Sequence, residues 1–201
     1  MNTRQYTSAI KKTPYKYPEA KKIGKLMLDG LDYEEVYRKC YDENYIEIES
    51  APRRREIINV LYKRLCSLDK FLLSQFCNGD VATSKFILVY AIAKTDELFF
   101  EFLFERYRDA LNNPERNYLA IGDFDDYFSS KKQIDVNVSK WGADTLECLT
   151  KGYRNILVES GLGKRDRRNI TVIHMIVHPS VEEHIAFIGD KDYLKAMLGG
   201  D

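Results

Sequence analysis

The sequence predicts a mainly α protein: a helical bundle over residues 1–112, then a winged-helix-like region over 113–201 containing a short β element. Three observations lead there. Apolar residues recur at helical spacing from Ile23 onward, and 44% of the chain is hydrophobic, enough for a real core. The last third also runs helix, turn, helix and short β element, the order of a winged helix.

Each element has its own signal. Pro18 suits a first helical turn, Ile23, Leu26 and Met27 follow at helical spacing, and Gly30 suits the stop. Asp32 with Glu35 forms a capping-box pattern, and Val36 and Cys40 lie one turn apart behind it. The alternation in ENYIEIES predicts an extended stretch leading to Ser50 as a cap and Pro52 in the next first turn. Ile57, Val60, Leu61, Leu65 and Leu68 give that helix an apolar stripe. Arg53, Arg54 and Arg55 therefore fall in its first turn, where the helix dipole disfavours positive charge.

Further helices are predicted at 69–77, 81–94 and 96–111, ended by Asn78-Gly79 and by Asn112-Asn113-Pro114. After the break at NNPERN, an acidic helix starts at Asp123 and IDVNVSKWG is a connection. Asp144 with Glu147 marks a second capping box before a helix to Gly161, with Leu146, Leu149, Tyr153, Ile156 and Leu157 on its buried face. The stretch GLGKRDRRNITVIHMIVHP then joins a glycine-flanked basic loop to an alternating β-branched run, and helical signals resume to the end.

Composition narrows the function. With 31 basic and 31 acidic residues, attraction to a polyanion must come from local segregation of charge. Cys40, Cys66, Cys77 and Cys148 are scattered, and the opening MNTRQYTSAIKKTPYKY lacks the apolar stretch of a secretion signal, so free thiols and a cytoplasmic location are expected. The longest apolar run, FILVYAIA, has eight residues, against roughly 20 for a membrane span. It is read as a buried core helix, with no membrane partner.

The strongest constellation is the basic tail. From Lys151 to Arg168, six basic residues (Lys151, Arg154, Lys164, Arg165, Arg167, Arg168) stand against two acids, Glu159 and Asp166. A basic loop beside a helix is a practical phosphate clamp, because Lys and Arg contacts to phosphate dominate affinity for nucleic acid. A solvated loop is the alternative of equal weight. Arg53, Arg54 and Arg55 are a second candidate, with Arg53 and Arg54 as its named contacts and Lys63 and Arg64 extending it further along the helix. Neighbouring helical residues fan out by about 100°, so at most two of the three arginines can face one ligand, and Glu47, Glu49 and Glu56 are close enough to neutralise them. The ion-paired reading ranks ahead. Lys11, Lys12, Lys16, Lys21, Lys22 and Lys25, interleaved with Tyr15 and Tyr17, read first as an arm packed on the bundle and second as a base-stacking surface.

Other chemistry finds no support. His174 and His178 lie on a β-like run, where a spacing of four separates side chains by about 13 Å. Zinc spacing, a phosphate loop, a dinucleotide fingerprint and a nucleophile elbow are all missing. No enzyme activity, metal or cofactor is expected.

Three blocks carry a resemblance across nearly the whole chain: SAIKKTPYKYPEAKKIGKLMLDGLDYEEVYRKCYDENYIEIESAPRRREIINVLYKRL, FILVYAIAKTDELFFEFLFERYRD and WGADTLECLTKGYRNILVESGLG. In order and spacing they resemble the BrxA family, a small component of the BREX (bacteriophage exclusion) defence systems of bacteria. The resemblance implies a mostly helical protein, similar in part to the NusB antitermination fold, that binds double-stranded DNA without known enzymatic activity. It also implies work beside other BREX proteins, including a site-specific DNA methyltransferase. It supplies no site residues, so the DNA-contact set rests on charge and placement alone. RNA binding stays open through the antitermination-like fold, and a protein adaptor through the 14 Tyr and 10 Phe.

Overall fold

Helical periodicity is realised along most of the chain, and several helix ends are fixed by one identifiable side chain. The computed structural model describes residues 6–200. Its elements divide into two units: one takes the chain up to Tyr15 together with the part from Asp96 onward, and the other takes Lys16–Thr95. The break near residue 112 falls inside the first of these.

The Lys16–Thr95 unit is built from α1 (Tyr17–Leu28), α2 (Tyr33–Tyr41), α3 (Ala51–Leu65), α4 (Lys70–Asn78) and α5 (Val81–Thr95). The capping box at α2 is complete: Glu35 N donates to Asp32 Oδ1 at 2.9 Å and Asp32 N donates to Glu35 Oε2 at 3.0 Å. At the far end of α4, Lys21 Nζ donates to the carbonyls of Phe76 and Cys77 at 2.7 and 2.9 Å. Its charge thus meets the negative end of a helix whose last carbonyls lack intrahelical donors. Gly24 permits this approach of α1 to α4, since a Cβ there would stand 3.0 Å from the Phe76 ring. Phe86–Ala93 of α5 is buried throughout, as read from FILVYAIA. Among the described residues no helix is long and apolar enough to cross a membrane.

One expectation fails here. Residues 43–50 are not extended but turned, with Asn44 and Glu47 at φ of 52° and 58°. The Asn44 side chain accepts from Ile48 N at 2.8 Å, and the segment pairs with no strand that its alternation could join. Ser50 is the N-cap residue of α3, although its side chain makes no capping bond.

The other unit contains a 3-10 turn (Ala9–Lys11), α6 (Glu97–Phe102), a π turn (Leu103–Tyr107), α7 (Arg108–Leu111), β1 (Tyr118–Leu119), α8 (Ile121–Ile134), α9 (Val136–Ser139), α10 (Ala143–Ser160), β2 (Gly163–Asp166), β3 (Asn169–Val172), α11 (Pro179–Phe187) and α12 (Lys191–Leu198). Its strands form an antiparallel sheet in the order β1-β3-β2, with Tyr118 opposite Thr171 and Arg165 opposite Ile170. The predicted β run stops at Val172. The segment read as a plain connection holds α9, capped by Asp135, which accepts from the amides of Asn137 and Val138, both at 2.8 Å. The second capping box does not form: Gly142 is the N-cap of α10, and Glu147 pairs with Lys151 instead.

An aromatic cluster joins α6, α8 and α10. Tyr153 lies 4.9, 5.1 and 5.4 Å from the ring centroids of Phe99, Phe102 and Phe128, and Phe102 stacks on Phe124 at 4.9 Å. Beside it, Lys131 Nζ is held between Glu101 at 2.6 Å and Glu105 at 2.7 Å. Burial pushes the Lys131 pKa down, but hydrogen bonds and charge from the two glutamates outweigh this and leave it raised. Its contribution to stability is therefore fully present below the ordinary lysine value of 10.5 and is lost as pH climbs through the raised one.

Two outcomes follow for chemical denaturation. Lys131→Met leaves two carboxylates without their shared cation and should cost about 3 kcal/mol, with the gap from the parent shrinking above pH 10.5. Tyr153→Phe should do the reverse, because the Tyr153 hydroxyl is buried with no hydrogen-bond partner among the described residues. Removing it should raise stability by up to about 1 kcal/mol.

Candidate nucleic-acid interface

Burial of one face of α10 decides where its cations go. Leu149, Tyr153, Ile156 and Leu157 are fully buried, so residues 148, 151 and 155, spaced three and four apart, form a stripe on another side. Lys151 lies on this stripe, exposed and paired one turn back with Glu147 at 2.6 Å. Both partners are solvated, so the pair adds little stability. Arg154 is half-buried beside it, with its Cζ 5.8 Å from the Phe124 ring centroid. Its Nη1 is buried and has no acceptor among the described residues. Burial first, and the Arg165 charge second, lower its pKa.

Beyond Gly161, whose φ of 92° ends α10, the β2–β3 hairpin carries the remaining tail cations. Lys164, Arg165, Arg167 and Arg168 are all exposed, and none has an ion pair among the described residues. Arg167 occupies the first position of the two-residue turn at φ 51°, a left-handed conformation that costs a non-glycine residue roughly 1 kcal/mol. The base of the hairpin is tied down. Ile173 N donates to Leu162 O at 2.8 Å, and the Tyr107 hydroxyl lies 2.9 Å from Leu162 O and 3.0 Å from Ile173 O. Tyr107 ends the π turn, so this short irregularity delivers an anchor to the hairpin.

Lys11, Lys151, Arg154 and Arg165 line one cleft of about 350 Å³, with no acidic side chain among the described residues of its wall. Gly152 brings Lys11 there: a Cβ at Gly152 would stand 2.8 Å from Ile10 Cγ2, so glycine lets the 3-10 turn lie directly on α10. A larger hollow of about 640 Å³ is lined by Asn112, Asn117 and His174 among others, with no lysine, arginine or acid among the described residues that line it.

Three of the predicted tail residues, Lys151, Arg154 and Arg165, thus share one cleft, while Lys164, Arg167 and Arg168 extend along the hairpin next to it. Arg53 and Arg54 lie in the Lys16–Thr95 unit. Arg53 pairs with Glu56 at 2.9 Å. Arg54 donates to the carbonyls of Tyr41, Ile48 and Glu49, so backbone oxygens rather than acids hold it. Glu47 binds Lys22 at 2.9 Å instead. Sequence reasoning placed Lys11 only within the N-terminal lysine cluster and missed Tyr107 as an anchor. The histidines assemble no metal site: the described residues contain no group of three His, Cys, Asp or Glu side chains placed to hold a metal. His178 instead caps α11.

Comparison with known proteins fits the sequence blocks. A family model described as BrxA matches residues 4–189. A curated protein of Bacillus cereus (strain H3081.97), named BREX protein BrxA, is 34% identical over 194 residues, covering 96% of each chain. A crystal structure of an uncharacterized protein from Magnetospirillum magneticum shares the fold with a TM-score of 0.84 at 18% identity, over 98% of this chain and 100% of its own.

The hairpin anchor can be tested directly. Tyr107→Phe removes the hydroxyl that reaches Leu162 O and Ile173 O. Loss of that bond should cost about 1–2 kcal/mol and speed amide hydrogen exchange in β2 and β3 more than in α8.

Proposed function

Because the chain belongs to the BrxA family, with the role in BREX phage defence that membership implies, we propose that it is a non-enzymatic, cytoplasmic DNA-binding accessory protein. It contacts mainly the phosphate backbone of double-stranded DNA, using the β2–β3 hairpin and the cationic side of α10 in a winged-helix-like manner. The observation that carries this reading is the run of exposed cations at Lys164, Arg165, Arg167 and Arg168, none ion-paired among the described residues, beside Lys151 and Arg154. An unpaired arginine gives its whole fork of donors to a phosphate without first losing a carboxylate. Backbone contacts of this kind position a duplex without reading its sequence.

A second reading draws on Ile176 and Phe187, exposed at 89% and 87%. Apolar side chains that open to water suit a protein partner, so an adaptor role among other BREX proteins is the alternative. Co-purification of a BREX partner that survives nuclease treatment and is lost in Phe187→Ser would favour it.

Fluorescence anisotropy of a labelled duplex, titrated with nuclease-treated protein at several salt concentrations, tests the DNA reading. Affinity should fall with salt at a log-log slope of about 0.9 per phosphate neutralised. Joint replacement of Arg165, Arg167 and Arg168 by alanine should lower both affinity and slope, and the Arg53, Arg54, Arg55 triple alanine variant should lower them less. The opposite ranking would move the contact to the Lys16–Thr95 unit. Competition with structured RNA separates the two nucleic acids.

A further inference from the structure

The cleft beside the hairpin differs from the rest of the cationic face in being recessed and in holding a guanidinium that is incompletely satisfied. Lys11, Lys151, Arg154 and Arg165 come from three separate elements, the 3-10 turn, α10 and β2, and converge on a hollow of about 350 Å³. That volume lies at the lower end of small-ligand sites, which run from about 300 to 1,000 Å³. Asn155 adds an amide to the wall, and among the described residues only Lys151 of the four cations has a carboxylate partner, Glu147, which is not itself part of the lining.

Arg154 is the telling residue. Its Nη1 is buried without an acceptor among the described residues, and the lining group that presses on its charge is another arginine, Arg165. Burying a cationic donor next to a like charge is unfavourable unless an anion joins them. Lys151 has Glu147 as a partner, but both are solvent-exposed, so a stronger anion can displace the glutamate at little cost.

We propose that this cleft is a phosphomonoester site, taking the terminal phosphate of a nucleic-acid strand or the phosphate of a free nucleotide. A phosphomonoester carries about −1.5 to −2 charge near neutral pH, whereas each internal phosphodiester of a duplex carries one and lies on a convex backbone. Four cations in a recess, only one of them ion-paired among the described residues and that pair solvent-exposed, match the terminal group. The two arginines offer planar forks to its oxygens, and the two lysines supply compact charge. The assignment rests on the reading of this face as phosphate-binding and adds selectivity for ends over the interior.

The test uses three duplexes of one sequence: closed at both ends by hairpin loops, open with 5′-hydroxyl ends, and open with 5′-phosphate ends. Deoxyadenosine 5′-monophosphate is titrated separately, with deoxyadenosine as control. A 5′-phosphate should improve affinity over 5′-hydroxyl by roughly tenfold or more, the worth of one hydrogen-bonded charge. Arg154→Gln should bring that ratio to one. Lys151→Ala, at an exposed position, should reduce the ratio with no risk to folding. Arg167→Ala should weaken all three duplexes and leave the ratio in place. Cys148, exposed in the cleft wall, gives a direct readout: the phosphorylated ligand should slow its alkylation and leave that of the distant-in-sequence, exposed Cys66 unchanged.

Binding of the monophosphate but not of deoxyadenosine, with no end preference among the duplexes, would assign the site to a free nucleotide. Equal affinity for all three duplexes, no monophosphate binding and no protection of Cys148 would overturn the proposal and leave the backbone-binding reading standing. Monophosphate binding with no duplex binding would uphold the cleft and overturn that reading. No binding of any of these ligands would overturn both.

Discussion

Tyr153 is the residue on which the arrangement of the cationic face depends. Packed among Phe99, Phe102 and Phe128, it fixes the rotation of α10 about its own axis. A helix has one rotational setting for a given buried stripe. Once Tyr153 and Ile156 are inside, Lys151 and Asn155 have to be outside, and Arg154, next to Tyr153 in sequence, lies at the margin between the two. That margin explains its mixed surroundings: an aromatic ring within cation–π range, a buried nitrogen and a place in the wall of a cleft. Charge placement on this unit is a by-product of aromatic packing.

What was legible in the sequence was mostly local. The Asp32 and Glu35 capping box spans three residues, and nothing distant can alter its chemistry, so pattern and structure agree. The similar pattern at Asp144 and Glu147 fails for an equally local reason. Glu147 has Lys151 four residues ahead, in the favourable orientation for a helical ion pair, and α10 starts earlier at a glycine. The basic tail was legible as charge and the end of its helix from Gly161, but the basic loop expected beyond it is instead strand β2 and the turn of a hairpin. What stayed hidden depends on contacts across the chain. The two-residue β1 has too short a pattern to announce a strand and exists because β3 lies beside it. Lys11 reaches the cleft only because Ile10 settles on Gly152, a contact spanning more than half the chain.

The arginine run in α3 illustrates the same division. Its place in a first helical turn was readable, and its partners were not. Arg54 gathers three carbonyls from the end of α2 and from the turned segment before α3, while Arg55 donates to the hydroxyls of Tyr37 and Tyr41. Residues 43–50 have no ladder to satisfy their backbone, so a guanidinium does what a neighbouring strand would do. The unfavourable position at the helix dipole is offset by hydrogen bonds to oxygens that would otherwise need water.

The clamp at the base of the β2–β3 hairpin has a consequence for how a ligand is met. Freely jointed basic loops lose conformational entropy when they wrap a partner, and that loss subtracts from the affinity their charges provide. Here the Tyr107 hydroxyl and the Ile173 amide both converge on Leu162 O, so the ends of the hairpin are set before any encounter. Only the turn at Arg167 and the long side chains remain to be ordered. Association at this surface should therefore have the heat-capacity and entropy profile of rigid docking rather than of coupled folding.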